Sequence, residues 1–336
     1  MTIEAHAYAR AGLLGNPSDG YFGKTISIII KNFGARVSLE PTPELRIEAH
    51  DRDLNVFGNM DELAERVSLY GYYGGERLIK AAIKLFHKYC KSSDIALENK
   101  NFTIRYHSDI PRQVGLAGSS AIVTATMRAL MEFYDVDIPI EILPSLTLAA
   151  EREELGINAG LQDRVIQAYE GCLYMNFDRE LLEKNNCGAY ERLDPGLLPP
   201  MFVAFKIRLG KVSGHALNKI RIGYDRGDRH VIDTLSSIAE LAEKGRQALL
   251  DGDAGLLHDL MNENFDLRSK IQAISNSNHE MVETARKCGA AAKFSGSGGS
   301  VIGMYEGAEM LARLTDAFNK IEATVIRPIV TERDSA

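Results

Sequence analysis

Pro111-Arg112-Gln113-Val114-Gly115-Leu116-Ala117-Gly118-Ser119-Ser120-Ala121 stands between a stretch that reads as a strand, residues 102–106, and one that reads as a helix starting near Ser119 and running to Tyr134. Its small residues let the backbone approach a ligand closely. The helix entrance behind it presents unpaired N–H groups and the positive end of the helix dipole. Such a loop suits an anion, phosphate above all. The hydroxyls of Ser119 and Ser120 can add contacts to phosphate or to a magnesium ion. A plain loop with a serine N-cap has the same composition, so the rest of the chain decides between the two.

Working outward, Ile122, Val123, Thr126, Ala129, Leu130 and Phe133 recur at helical spacing, which predicts one buried helix face. Upstream, residues 5–9, 24–30 and 35–40 are rich in β-branched and apolar residues and read as strands. Residues 61–90 read as helical, interrupted at Gly71 and at Gly74-Gly75. Downstream come helices at 140–155 and 162–169 and a strand at 172–177. The polar stretch 178–200, closed by Pro199-Pro200, predicts a boundary between an N-terminal domain, 1–199, and a C-terminal domain, 200–336. Beyond it lie a strand (201–207), helices (230–250, 254–270, 279–288), a hairpin-like pair (291–294, 300–305), a further helix and a last strand (324–330). Strands and helices do not alternate regularly, which favours α+β over a doubly wound parallel sheet.

The chain has 336 residues, enough for two well-buried cores, with 45% hydrophobic and 25% charged residues. Its net charge is −7 and its basic residues are dispersed, which argues against nucleic-acid and membrane partners and leaves a small molecule. Four cysteines, Cys90, Cys172, Cys187 and Cys288, form no C-x-x-C pair, so a reducing compartment is expected. No basic, apolar leader opens the sequence and no apolar run approaches a membrane span, so a cytoplasmic setting is expected. Oligomeric state leaves no mark.

Two other glycine-bearing segments flank the loop in order: Arg10-Ala11-Gly12-Leu13-Leu14-Gly15-Asn16-Pro17-Ser18-Asp19, and Lys293-Phe294-Ser295-Gly296-Ser297-Gly298-Gly299-Ser300. Between the loop and the last lie Glu151 and Gly156-Ile157-Asn158-Ala159-Gly160-Leu161-Gln162-Asp163. The ordered set resembles the GHMP kinases, the superfamily of galactokinase, homoserine kinase, mevalonate kinase and phosphomevalonate kinase, whose signature loop reads P-x-x-x-G-L-x-G-S-S-A. Within it the resemblance is strongest to the glucuronokinase family. It is carried by Leu14–Asp19, Gly71-Tyr72-Tyr73-Gly74-Gly75, Ile110–Gln113, Gly160–Val165 and Asn264-Phe265-Asp266-Leu267-Arg268. It implies a two-domain α+β fold, an N-terminal ribosomal-protein-S5-domain-2-like domain followed by a ferredoxin-like one, with the site in the cleft between them. The implied reaction uses ATP and Mg²⁺ to phosphorylate the anomeric hydroxyl of D-glucuronate. Another sugar 1-kinase (galacturonate, arabinose, galactose), or a silent sugar and ATP sensor on the same fold, stays open.

The resemblance also implies roles. Pro111, Gly115, Leu116, Ala117, Gly118, Ser119, Ser120 and Ala121 would cradle the ATP phosphates. Ser120 and Glu151 would hold Mg²⁺, whose hard charge suits oxygen ligands. Asp163 would take or orient the proton of the attacking hydroxyl, with Arg10 beside it keeping it ionised. Asp19, Arg164, Gly296, Ser297 and Gly298 would meet the sugar. Each residue also has a plainer reading: Glu151 as a solvated helix face, Asp163 as a helix-start charge, Asp19 as a turn cap, and residues 296–299 as a hairpin turn. The sugar carboxylate needs a cation, for which Arg112, Arg164, Lys24, Lys211 and Arg268 are candidates; Arg268 would be spent if it pairs with Asp266. Asn16 and Pro17 stand where the superfamily has an acid–histidine pair, so a galactokinase-like sugar site does not carry over intact.

Overall fold

The computed structural model describes residues 1–48, 74–207 and 213–332. Its spine is β2 (Lys24–Thr42), a single strand of 19 residues. β1 (Ile3–Leu14) runs antiparallel along its whole length, with register shifts between Tyr8 and Ala9 and between Gly12 and Leu14. On the other edge, β2 pairs first with β5 (Cys172–Asn176) and then with β4 (Asn101–Ser108). The two strands expected at 24–30 and 35–40 are therefore one. The residues between them do not reverse the chain; the irregularity opposite Tyr8 and Ala9 absorbs them. β3 (Arg46–Ile47) and β6 (Ala189–Leu193) complete this six-stranded sheet.

α1 (Gly75–Ser92), α2 (Gly118–Tyr134), α3 (Leu143–Arg152) and α4 (Gln162–Tyr169) follow the expected helices. The part of the first expected helix before Gly74 lies outside the described residues, as do Gly71, Tyr72 and Tyr73. α2 lies against β1 and β2. It buries Ile122, Val123, Met127, Leu130 and Phe133 there, each such side chain contributing about 1.5–3 kcal/mol. The stretch 178–200 is more ordered than its polarity predicts. α5 (Arg179–Asn185) is capped by the Asp178 side chain, and β6 follows as an edge strand whose half-exposed residues hide its pattern.

The second sheet holds β7 (Met201–Phe205), β8 (Ala291–Phe294), β9 (Ser300–Met304) and β10 (Thr324–Ile326), in the antiparallel order β10-β7-β9-β8. α6 (Ser213–Asp225), α7 (Arg229–Asp251), α8 (Ala254–Ile271) and α9 (Asn276–Lys287) connect β7 to β8, and α10 (Gly307–Lys320) connects β9 to β10. α6 was not expected, because few apolar residues mark its span. The predominantly antiparallel sheets agree with the α+β expectation.

The two sheets share one large buried cluster, while the other face of the second sheet, with Phe202, Ala204 and Phe294, has its own. Met201, Val203, Phe205, Ile302 and Met304 belong to the same buried cluster as Ala7, Ile28 and Leu130. α7 packs on β1 and β2. The last expected strand stops at Ile326, because the chain turns back to the first sheet. There the Lys31 N–H donates to Ile329 O at 2.9 Å, and Ile329 N–H donates to Asn32 Oδ1 at 2.8 Å.

Candidate active site

Arg10, on β1, gathers three segments that lie far apart in sequence. Its Nε donates to Asp163 Oδ1 at 2.6 Å, and its Nη1 donates to Gly115 O at 2.7 Å and Ser295 O at 3.1 Å. Asp163 sits in the first turn of α4. Burial pushes its carboxyl up, but the Arg10 and Arg164 guanidiniums outweigh that and hold it below the usual carboxylate range. It is therefore ionised at neutral pH.

The glycine-serine loop enters α2 one residue earlier than expected. Ala117, left-handed at φ 62°, precedes Gly118, and no side chain caps the helix. First-turn N–H groups of a helix have no intrahelical partner, which suits an anion. Gly115 is left-handed too (φ +73°), and a Cβ there would lie 2.7 Å from Gly298 O. The two glycine loops thus pack backbone to backbone. The Ser120 hydroxyl donates to Ala117 O at 3.1 Å and the residue is fully buried.

Asp19 lies on the short turn after β1, and its Oδ2 accepts the Gln162 N–H at 3.3 Å. Burial, and then the Asp163 charge, push its carboxyl up to about 6. Gly160 has no room for a side chain, since a Cβ would lie 2.0 Å from Asp19 Oδ2. Glu151 is not a solvated helix residue: it is fully buried on α3. Its Oε2 accepts from Arg164 Nε at 2.8 Å and from Arg164 Nη2, while its Oε1 has no hydrogen-bond partner. Arg164 also donates to Gly160 O at 2.9 Å and stands 3.4 Å from Asp163 Oδ2.

These groups surround a cleft of about 600 Å³. Of the expected site residues, Arg10, Asp19, Pro111, Gly115, Leu116, Ala117, Gly118, Ser119, Asp163, Arg164, Gly296 and Ser297 line it; Ser120, Ala121, Glu151 and Gly298 do not. Among the carboxylate candidates, Arg112, Arg164 and Arg268 line the cleft. Lys24 is instead paired with Glu243 at 2.5 Å, and Lys211 lies outside the described residues. Arg268 does not pair with Asp266, which bonds Arg286 at 2.9 Å. Residues two apart on a helix point in different directions.

Sequence reasoning missed two further cations. Arg221 of α6 lines the cleft, donates to Gly20 O at 2.8 Å and lies over the Tyr21 ring. Lys293 is buried on β8 and donates to Gly12 O at 2.7 Å, Phe294 O at 2.9 Å and Asn16 Oδ1. Burial, helped by the Arg268 and Arg10 charges, pulls its ammonium well below the usual lysine range. A lysine inside the otherwise apolar run Ala291–Phe294 was the available signal.

Among the described residues no cluster of three or more His, Cys, Asp or Glu could hold a metal by itself. A divalent ion bridged to nucleotide phosphates needs only one or two protein oxygens. The unpartnered, buried Glu151 Oε1 fits that demand.

The family models for the GHMP kinases N terminal domain and the GHMP kinases C terminal match residues 77–171 and 246–320. Over 306 residues, 89% of this chain, it is 46% identical to glucuronokinase 1 of Arabidopsis thaliana and covers 84% of that protein. The chain belongs to the GHMP kinases. Probable glucuronokinase 2 of the same plant is 48% identical over 307 residues, covering 89% of this GHMP kinase and 83% of that relative. The solved structure of Lactococcus lactis galactokinase complexed with galactose superposes with a TM-score of 0.80 over 98% of this chain and 94% of that one. The Methanococcus jannaschii mevalonate kinase does so with 0.70 over 98% of each. At 14% and 19% identity these two report the fold alone. GHMP kinases are ATP-dependent kinases.

Proposed function

We propose that this GHMP kinase transfers the γ-phosphoryl group of ATP to the anomeric hydroxyl of D-glucuronate, giving D-glucuronate 1-phosphate and ADP. The observation that carries the chemistry is the pair of a buried Arg10 and a partly exposed Asp163 at a cleft walled by two glycine loops. The substrate is taken from the kinship to the Arabidopsis glucuronokinases.

In this reading Asp163 receives the proton of the attacking hydroxyl. Its Oδ1 is held by Arg10, and Oδ2, which Arg164 approaches only to 3.4 Å, is the oxygen for that task. An anomeric hydroxyl is more acidic than an ordinary alcohol, so one ionised carboxylate suffices. Arg10 keeps Asp163 ionised and stabilises the charge that develops beside it. The N–H groups of residues 115–121 hold the phosphates, and Gly296, Ser297 and Gly298 close on them from the second sheet. Asp19 accepts from sugar hydroxyls, and Arg164 bridges Glu151 and Asp163 on the sugar side. Glu151 Oε1 and the Ser120 hydroxyl would hold Mg²⁺, which when bound neutralises phosphate charge. Residues 1–199 then form the nucleotide-binding domain and residues 200–336 its cover. Four free cysteines suit a cytoplasmic setting, and no described helix is long and apolar enough to cross a membrane.

The test is ADP release with Mg-ATP across D-glucuronate, D-galacturonate, D-glucose, D-galactose, L-arabinose and mevalonate, with phosphorus NMR of the product. A preference for glucuronate with an anomeric phosphate signal is expected. Preference for another sugar overturns the substrate; tight binding of ATP and sugar without turnover overturns the kinase reading in favour of a sensor.

A further inference from the structure

Every sugar acid carries a charge that a sugar does not, and the cleft must answer it. Four arginines at the cleft wall have acidic neighbours or an exposed position. Arg10 is bound to Asp163 and Arg164 to Glu151, Arg221 stands 3.8 Å from Asp225, and Arg112 is exposed. Arg268 differs from all of them. It lines the same cleft, is only 2% exposed, and forms no ion pair with any described residue. Asp266, the acid closest to it in sequence, is occupied by Arg286.

The side chain is nevertheless held firmly. Asn264, one turn earlier on α8, accepts the Gly15 N–H at 2.8 Å and donates to Asn16 O at 3.3 Å, which fixes the helix against the turn after β1. Arg268 Nε donates to Gln272 Oε1 at 2.6 Å, one turn further on. Its Nη1 donates to Gly296 O at 2.8 Å, and its guanidinium carbon lies 5.2 Å from the centre of the Phe294 ring. The remaining nitrogen, Nη2, is buried without a hydrogen-bond partner. Asp19 acts on it only through space; a buried guanidinium with no carboxylate in contact is costly, and a carboxylate is the partner its fork fits best.

Position agrees with chemistry. Gly296 stands between Arg268 and the reacting pair: its carbonyl is held by Arg268, and a Cβ on it would lie 2.9 Å from the Arg10 guanidinium. One residue's width therefore separates the Arg10–Asp163 pair from Arg268.

We propose that Arg268 is the specificity-determining residue of this kinase, receiving the C6 carboxylate of the uronate on Nη2 while Gln272 and Gly296 hold the rest of the guanidinium in place. The inference rests on the glucuronate reading above. It makes the preference for a sugar acid a property of one cation carried on α8.

The experiment compares kcat/KM for D-glucuronate and D-glucuronamide, a neutral near-isostere, in the wild type, Arg268→Gln and Arg268→Lys. Thermal melting and ATP titration accompany each variant to establish that it is folded. The wild type is expected to favour glucuronate. In Arg268→Gln that preference falls by roughly 30-fold or more, mostly through KM, because a buried carboxylate loses its charged partner. Arg268→Lys keeps the charge without the fork and is expected to lie between. A folded Arg268→Gln enzyme that still prefers the acid as the wild type does overturns the role of Arg268 alone. A wild type with no preference for the acid overturns the substrate reading, and the role falls with it.

Discussion

Asp163 and Asp19 are neighbours across the cleft with opposite electrostatics, and the difference is testable one residue at a time. Asp163→Asn is expected to cut kcat by about 10²–10⁴-fold while ATP binding, measured by titration, persists. Arg10→Gln removes the stronger of the two cations that hold Asp163 down, and leaves burial to push its carboxyl up. Its acid limb in the pH profile of kcat/KM is therefore expected at higher pH than in the wild type. Asp19 binds its proton more tightly folded, at about 6, than unfolded, at 3.8. The native state thus loses stability as pH rises from about 4 through 6, and the loss is complete above that range. Asp19→Asn is expected to raise the melting temperature at pH 7 and hardly at pH 4. The pairing of Arg10 with Asp163 was legible only through the resemblance to the GHMP kinases. The bonds of Lys293 were not, since Gly12 and Asn16 lie 281 and 277 residues away.

Elements were readable where local periodicity agrees with tertiary burial. α4 was expected at 162–169 and occurs at Gln162–Tyr169, and α7 and α8 also carry strong apolar stripes. β2 was misread as two strands because its middle turns partly polar, and only its neighbour β1 carries the chain through. β6 escaped because its half-exposed residues blur any alternation, and α6 because polar residues and glycines interrupt its apolar pattern. Helix starts offer a clean test of local chemistry. The Asp228 side chain accepts the N–H groups of His230 and Val231 at the head of α7. Asp228→Ala is expected to lower stability by about 1 kcal/mol in urea unfolding. The cap stands apart from the cleft residues, so KM should not follow.

At the scale of the whole molecule, the α+β class was legible in the irregular order of strands and helices. What the sequence concealed is how far the halves interpenetrate. A single buried cluster takes side chains from both sheets, and α7, which belongs in sequence to the second half, lies on the first. Calorimetry is accordingly expected to give one cooperative unfolding transition for the full chain. Two resolved transitions would mean that the sheets fold independently despite the shared core.

The return of residues 327–332 to the first sheet gives the chain a second crossing between the sheets, in addition to the one that links β6 to β7. A panel hung at two points swings about the line through them and resists sliding sideways. Any opening of the cleft is then expected to be a rotation about one axis, a hinge rather than a shear.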